Sequence, residues 1–246
     1  MSKLPRPICA LLLLLPLPAF SAAVWVGDFS SSNATIPPPW RVERPNPDAP
    51  PTIYRTRLWN GVHAVEAHAV KSMALLARPL TIDLARTPIL CWHWRIDAPL
   101  QSADMTQKSG DDYAARVYLS FEVTPERLEF GTRLGLALAR GIHGEQVPDA
   151  AINYIWDNRH AVGTWQPNAY TDRARMLVLR SGGASAGRWV AERRDVSADF
   201  QAAFGHPPLR LTALAIASDT DNTGEEARAG FADFRFVASA GDCAPL

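Results

Sequence analysis

Apolar and polar residues alternate with a period of two through much of this chain. In ILCWHWRID (89–97), Leu90, Trp92, Trp94 and Ile96 fall on one side, and Cys91, His93, Arg95 and Asp97 on the other. In YAARVYLSFEV (113–123), Ala115, Val117, Leu119, Phe121 and Val123 share one side, opposite Arg116, Tyr118, Ser120 and Glu122. Successive side chains of a strand point to opposite faces, so each stretch predicts a strand with one face in a core. Further strands are predicted at AVWVGDFS, HAVEAHAV, MALLARPLTI, NYIWD, ARMLVLRS, GRWVAERRDV, RLTALAIASD and GFADFRFV. Clusters of Pro, Gly, Asn and Asp separate them.

Two segments break this rhythm. DVSADFQAAFG (195–205) spaces Val196, Phe200 and Phe204 as on a helix, with Ser197 as the expected N-cap and Gly205 as the stop. RLGLALARG (133–141) reads as a short helix or an apolar arm. The proline-rich stretch 33–51 predicts an extended surface loop. Many short strands, few helices and 20 prolines predict an all-β fold, a jelly-roll-like β-sandwich with one or two short helices. No repeat of 20–50 residues is visible, which argues against a propeller or solenoid.

The start of the chain changes the expected compartment. Lys3 and Arg6 precede an apolar run from Ile8 to Phe20, followed by Ser21, Ala22 and Ala23. This predicts a signal peptide over 1–23, a single domain over 24–246, and a periplasmic or secreted protein. The run is short and broken by Pro16 and Pro18, so a retained membrane anchor is disfavoured and no membrane insertion is expected after cleavage. The chain carries 25 basic and 25 acidic residues. Losing Lys3 and Arg6 leaves a formal charge of −2, which gives no electrostatic footprint for nucleic acid. The two remaining cysteines, Cys91 and Cys243, either pair or stay as free thiols; separation in sequence does not decide it.

Within ASDTDNTGEEA (217–227), Asp219, Asp221 and Thr223 have the two-residue spacing of calcium ligands, and Gly224 permits a tight turn. The twelfth position of a helix–loop–helix calcium site would be Gly230, so that motif fails. Distant ligands such as Asp111, Asp112 or Asp233 would have to complete the shell. The alternative is a plain Asx-turn. Asp112 shares a strand face with Arg116 and Tyr118, a pairing suited to a sugar hydroxyl or carboxylate. If the two strands described first are neighbours, His93, Arg95 and Asp97 join Asp112, Arg116 and Tyr118 in one polar groove. Trp59 and Trp165, read as loop residues, are the expected sugar platforms. For glycoside hydrolysis the candidate carboxylates are Asp97, Asp112, Glu122 and Asp219, two of which would have to flank a bond. No G-x-S-x-G, H-E-x-x-H or phosphate-cradling glycine loop is present.

Taken together and in order, CWHWRIDAPL, SGDDYAARVYLSF, NYIW, GRWVAERRDVSADFQAAFG and IASDTDNTGEEARAGFADFRF resemble the bacterial domain-of-unknown-function family 3047. The resemblance implies an exported β-sandwich and supplies no catalytic residues. A looser likeness is to jelly-roll carbohydrate-binding modules, through VGDFSS, PPPW and FADFRF. It implies a structural calcium near Asp233, with Asp28 on the matching first strand. The expected function is a non-catalytic binding module for a glycan or another polar ligand, with calcium as the candidate cofactor. The alternatives are a jelly-roll glycoside hydrolase or a protein-interaction subunit of the cell envelope.

Overall fold

A computed structural model describes residues 23–30, 35–129, 131–133, 135–137 and 147–243. The expected signal peptide lies outside the described residues, apart from Ala23. Thirteen strands with described bounds form two sheets. One contains β1 (Val24–Gly27), β3 (Ile53–Trp59), β4 (Val62–Val70), β6 (Ile89–Ile96), β11 (Val190–Asp195) and β13 (Glu226–Val237). Its order is β11-β6-β13-β4-β3, with β1 pairing the last part of β13. The other contains β2 (Arg41–Glu43), β5 (Leu75–Ile82), β7 (Tyr113–Glu122), β8 (Ala150–Asp157), β9 (Trp165–Asn168), β10 (Thr171–Ser181) and β12 (Arg210–Asp219), in the order β2-β5-β12-β7-β8-β10-β9. Pairing is antiparallel except between β8 and β10. The fold is an all-β sandwich.

The inner faces carry the residues that alternation assigned to the core. Leu90, Trp92, Trp94 and Ile96 meet Ala115, Val117, Leu119 and Phe121 in one buried cluster. Trp92 stacks on Tyr154 and on Phe234, with ring centroids 5.5 and 6.3 Å away. The hairpin β3–β4 turns at Asn60 and Gly61, both at positive φ, as a tight two-residue hairpin turn requires.

Helix α1 (Val196–Phe204) is where expected, but its N-cap is Asp195, whose carboxylate accepts from the Ala198 amide; Ser197 lies inside the helix. Gly205 ends it in the left-handed conformation. At 131–133 and 135–137 the backbone is helical; the rest of the predicted 133–141 segment lies outside the described residues. Within the proline-rich stretch, Arg41–Glu43 forms edge strand β2, and the Trp40 indole is buried and donates to Val26 O.

Cys91 and Cys243 form a disulfide with Cα atoms 5.7 Å apart. Among the described residues no helix is long and apolar enough to cross a membrane.

Candidate functional site

Two short loops meet on the outer face of the second sheet. The first leads into β7. Asp104 N donates to Gly110 O and Gly110 N to Gln107 O, closing a tight turn. A Cβ on Gly110 would sit 2.6 Å from the Asp104 amide nitrogen, so only glycine fits there. That turn delivers Asp111 and Asp112 at the mouth of the strand. The second loop leaves β12 after Asp219. Thr220 N donates to Ser72 O, and Gly224, at positive φ, donates back to Thr220 O. Glu225 then accepts from the amides of Gln101 and Ser102.

The result brings carboxylate oxygens of Asp112, Asp219 and Asp221 within 4.8 Å of one another. Asp112 and Asp219 are buried and Asp221 is partly exposed. Thr223 N donates to Asp112 Oδ2 at 2.6 Å, and Asn46 donates to Asp221 Oδ2. Arg116 Nη2 stands 3.0 Å from Asp219 Oδ2 and Nη1 3.8 Å from Asp111 Oδ1. Oδ1 of Asp112 and Oδ1 of Asp219 are buried without a hydrogen-bond partner among the described residues.

The electrostatics follow from this crowding. Burial pushes the Asp219 carboxyl well above the usual carboxylate range; Arg116 opposes that rise, while Asp112 and Asp111 add to it. Burial also raises Asp112, against the hydrogen bonds of Thr223. Burial disfavours the Arg116 charge, yet Asp219, Tyr118, Asp111 and Tyr113 together outweigh burial and keep the guanidinium charged. Its planar group lies 4.4 Å from the Tyr118 ring centre and 5.0 Å from that of Tyr113. Asp219 and Asp111 therefore contact one cation, and Asp112 and Asp221 crowd against Asp219. Such a set is relieved by protons or by a bound metal ion. Oxygen donors of this kind suit a hard divalent cation such as calcium.

Other expected site residues lie elsewhere. β6 belongs to the first sheet and β7 to the second, with their apolar faces turned toward each other. His93, Arg95 and Asp97 are thus on the opposite side of the sandwich from Arg116 and Tyr118, and the shared polar groove does not exist. Period-two alternation tells which way a side chain points but not which sheet its strand joins. His93 is buried against Asp233, Nδ1 to Oδ2 2.9 Å. Asp233 is therefore apart from the three-aspartate cluster, and Asp28 instead caps its own turn by accepting from Ser30 N.

Neither tryptophan lies in a loop. Trp59 ends β3, is 8 % exposed, and is flanked by the guanidiniums of Arg57 and Arg95, 4.7 and 4.2 Å from its ring centre. Trp165 lies in β9 and packs against the core. Of the proposed catalytic carboxylates, Glu122 pairs with Arg210 at the far end of β7, about 30 Å along the strand from Asp112. Asp97 pairs with Arg95 on the other sheet. Asp112 and Asp219 do come together, but both are buried where a glycosidic bond would have to reach them.

An aromatic residue that the sequence reading passed over stands beside the cluster. Tyr170 is 56 % exposed. Its hydroxyl donates to Lys108 O and accepts from Asn222 in the same loop as Asp221. Its amide donates to Asn168, whose side chain in turn donates to both oxygens of Asp111. The turn-forming NAY tripeptide was the available signal.

A family model described as "Protein of unknown function (DUF3047)" matches residues 38–235. No curated protein matches the chain. Among solved structures, the xyloglucanase domain of NopAA, a type three effector from Sinorhizobium fredii, determined in complex with cellobiose, is similar with a TM-score of 0.36 and 8 % identity. The alignment covers 87 % of this chain and 93 % of that one. A likeness that low identifies neither ligand nor activity.

Proposed function

This chain belongs to the family described as "Protein of unknown function (DUF3047)", and we propose from its own geometry that it is an exported, non-catalytic binding module built around a calcium site. The observation that carries the reading is the convergence of Asp112, Asp219 and Asp221, with the buried Oδ1 atoms of the first two lacking a donor among the described residues. A buried acceptor without a partner costs on the order of 1–3 kcal/mol, more when charged, and coordination of a cation removes that cost. Thr223 stays close through its amide, which fixes Asp112; Asp233 takes no part.

The ligand proposed is a glycan or another polar molecule that approaches from the Asp221 side. Tyr170 supports this. It is an exposed ring held in place by two hydrogen bonds, next to Asn222 and Asp221. A fixed aromatic face with polar groups at its rim suits a sugar ring. The disulfide supports export, since such bonds persist in oxidising compartments.

The test is a thermal melt of the mature protein in chelator, in calcium and in magnesium. Calcium at a hundred times its dissociation constant stabilises by about 2.7 kcal/mol. The reading expects a clear rise in melting temperature with calcium and a smaller one with magnesium. Identical curves in all three would sink it.

A further inference from the structure

The outer face of the first sheet carries an arrangement unrelated to the aspartate cluster. Glu66 on β4 is almost fully buried, with 1 % of its side chain exposed. Three guanidiniums reach it: Arg55 at 2.5 Å, Arg57 at 3.2 Å and Arg228 at 3.5 Å. Their side chains are 55, 40 and 38 % exposed. Arg55 pairs across the strands with Glu66, Glu66 with Gly230, and Gly230 with Arg95. These residues form one row across the sheet.

Gly230 leaves room for aromatic cover. Two indoles fill the space above it, for a Cβ there would come 2.7 Å from Trp189 and 3.2 Å from Trp59. Trp189 is half-buried and fixed by its Nε1 donating to Trp59 O. Arg95 lies beneath, against both rings. The face thus presents a fixed, partly exposed indole beside three partly exposed arginines.

One carboxylate cannot satisfy three guanidiniums. Each has five donors, and Glu66 offers two oxygens. The outward donors of Arg55, Arg57 and Arg228 therefore face solvent, apart from the contact of Arg228 with Glu226 at 3.8 Å. Arg55 and Arg57 are about 7 Å apart along β3, and Arg228 is two strands away, about 10 Å. Because Glu66, Glu226 and Asp97 are interleaved with the arginines, the net charge of the face is small. It cannot act as a long-range field for a charged surface such as an anionic bilayer, which calls for dense basic clusters. Recognition here is local, one anionic group per guanidinium fork. A sugar acid meets both demands, carrying a carboxylate for a guanidinium fork on a ring whose apolar face stacks on an indole.

We propose that this face binds an acidic glycan, with uronate carboxylates on Arg55, Arg57 and Arg228 and a sugar ring against Trp189. The site shares no residue with the aspartate cluster, and neither reading depends on the other.

The test measures binding of galacturonate oligomers to the mature protein without added calcium, beside their methyl-esterified counterparts and vesicles of phosphatidylglycerol in phosphatidylcholine. The double variant Arg55→Gln and Arg228→Gln leaves Arg57 to hold Glu66. The expected result is binding of the acid oligomers that weakens with salt, is absent for the esters and the vesicles, and falls about tenfold or more in the double variant. A cooperative melt and a wild-type near-ultraviolet circular dichroism spectrum, both recorded without calcium, would certify that the variant is folded. Arg55→Lys keeps the charge but loses the fork, and should lose most of the affinity too. No binding of the acid oligomers, equal binding of the esters, preference for the vesicles, or full affinity in the double variant would each overturn the proposal.

Discussion

Arg116 Nη2 stands 3.0 Å from Asp219 Oδ2, with both side chains buried on the outer face of the second sheet. This pair ties the mouth of β7 to the end of β12, and with it Asp112 to Asp221. Replacing Arg116 by Met removes the guanidinium that stands 3.0 Å from Asp219 and 3.8 Å from Asp111. Loss of one partner of a buried pair typically costs about 3–5 kcal/mol. Denaturant unfolding should show a loss of that size in chelator and a smaller one in calcium, because the cation replaces part of the missing charge. A loss that calcium does not reduce would argue that no ion enters this site.

Asp112→Asn separates charge from shape. An amide oxygen can still accept from Thr223 N, as the carboxylate does now. The variant should therefore keep its melting temperature in chelator, or gain slightly as carboxylate repulsion is relieved. It should lose most of the calcium-induced shift. Melts of the variant with and without calcium decide it, and a wild-type calcium response would remove Asp112 from the ligand set.

Tyr170→Ala probes the ligand side without touching the fold. An exposed side chain of this kind changes stability by about 0.5 kcal/mol or less. The calcium response should persist while glycan binding drops by an order of magnitude, equivalent to about 1.4 kcal/mol. A glycan array read with both proteins checks this, with an undiminished signal from the variant as the adverse outcome.

Glu66 gives a pH prediction. Burial alone would raise its carboxyl, but the guanidiniums of Arg55, Arg57 and Arg228 outweigh burial and hold it below its ordinary value near 4.5. A depressed folded value means the carboxylate stabilises the protein above about pH 4.5 and loses that contribution as pH falls through the folded value. Glu66→Gln should be less stable than wild type at neutral pH, and the gap should close in acid. Parallel stability curves from pH 7 to 3 would contradict this.

Gly230→Ala should destabilise by about 1–3 kcal/mol, the usual cost of overpacking. The new methyl group meets Trp189, Arg95 and Trp59 at once. Trp189 fluorescence should shift as its indole is displaced, and an unperturbed emission spectrum with wild-type stability would show that the aromatic cover is looser than described.

The inner faces were legible from alternation because burial enforces it: Trp92, Trp94 and Ile96 point where their spacing said. The meeting of Asp112 with Asp219 was half-legible. Spacing marked each loop as acidic, and both loops flank strands that proved to be neighbours. What alternation could not carry was long-range pairing, and so His93 and Arg95 were assigned to the wrong side of the sandwich. Local chemistry also misled at Trp59, where Asn60-Gly61 read as a loop when it is a two-residue hairpin turn that keeps Trp59 in the strand. Glu66 and its arginines gave no local signal at all, since the partners come from β3, β4 and β13.

β13 is a central strand, bonded to β6, β4 and β1. The chain leaves it at Val237 and is stapled by Cys243 back to Cys91 on β6. A pull, or an exopeptidase, entering from the C-terminal end therefore stops at the staple before it can peel β13 from its neighbours. Among the described residues β13 is the last strand, yet with the staple beyond it β13 behaves mechanically like an interior one.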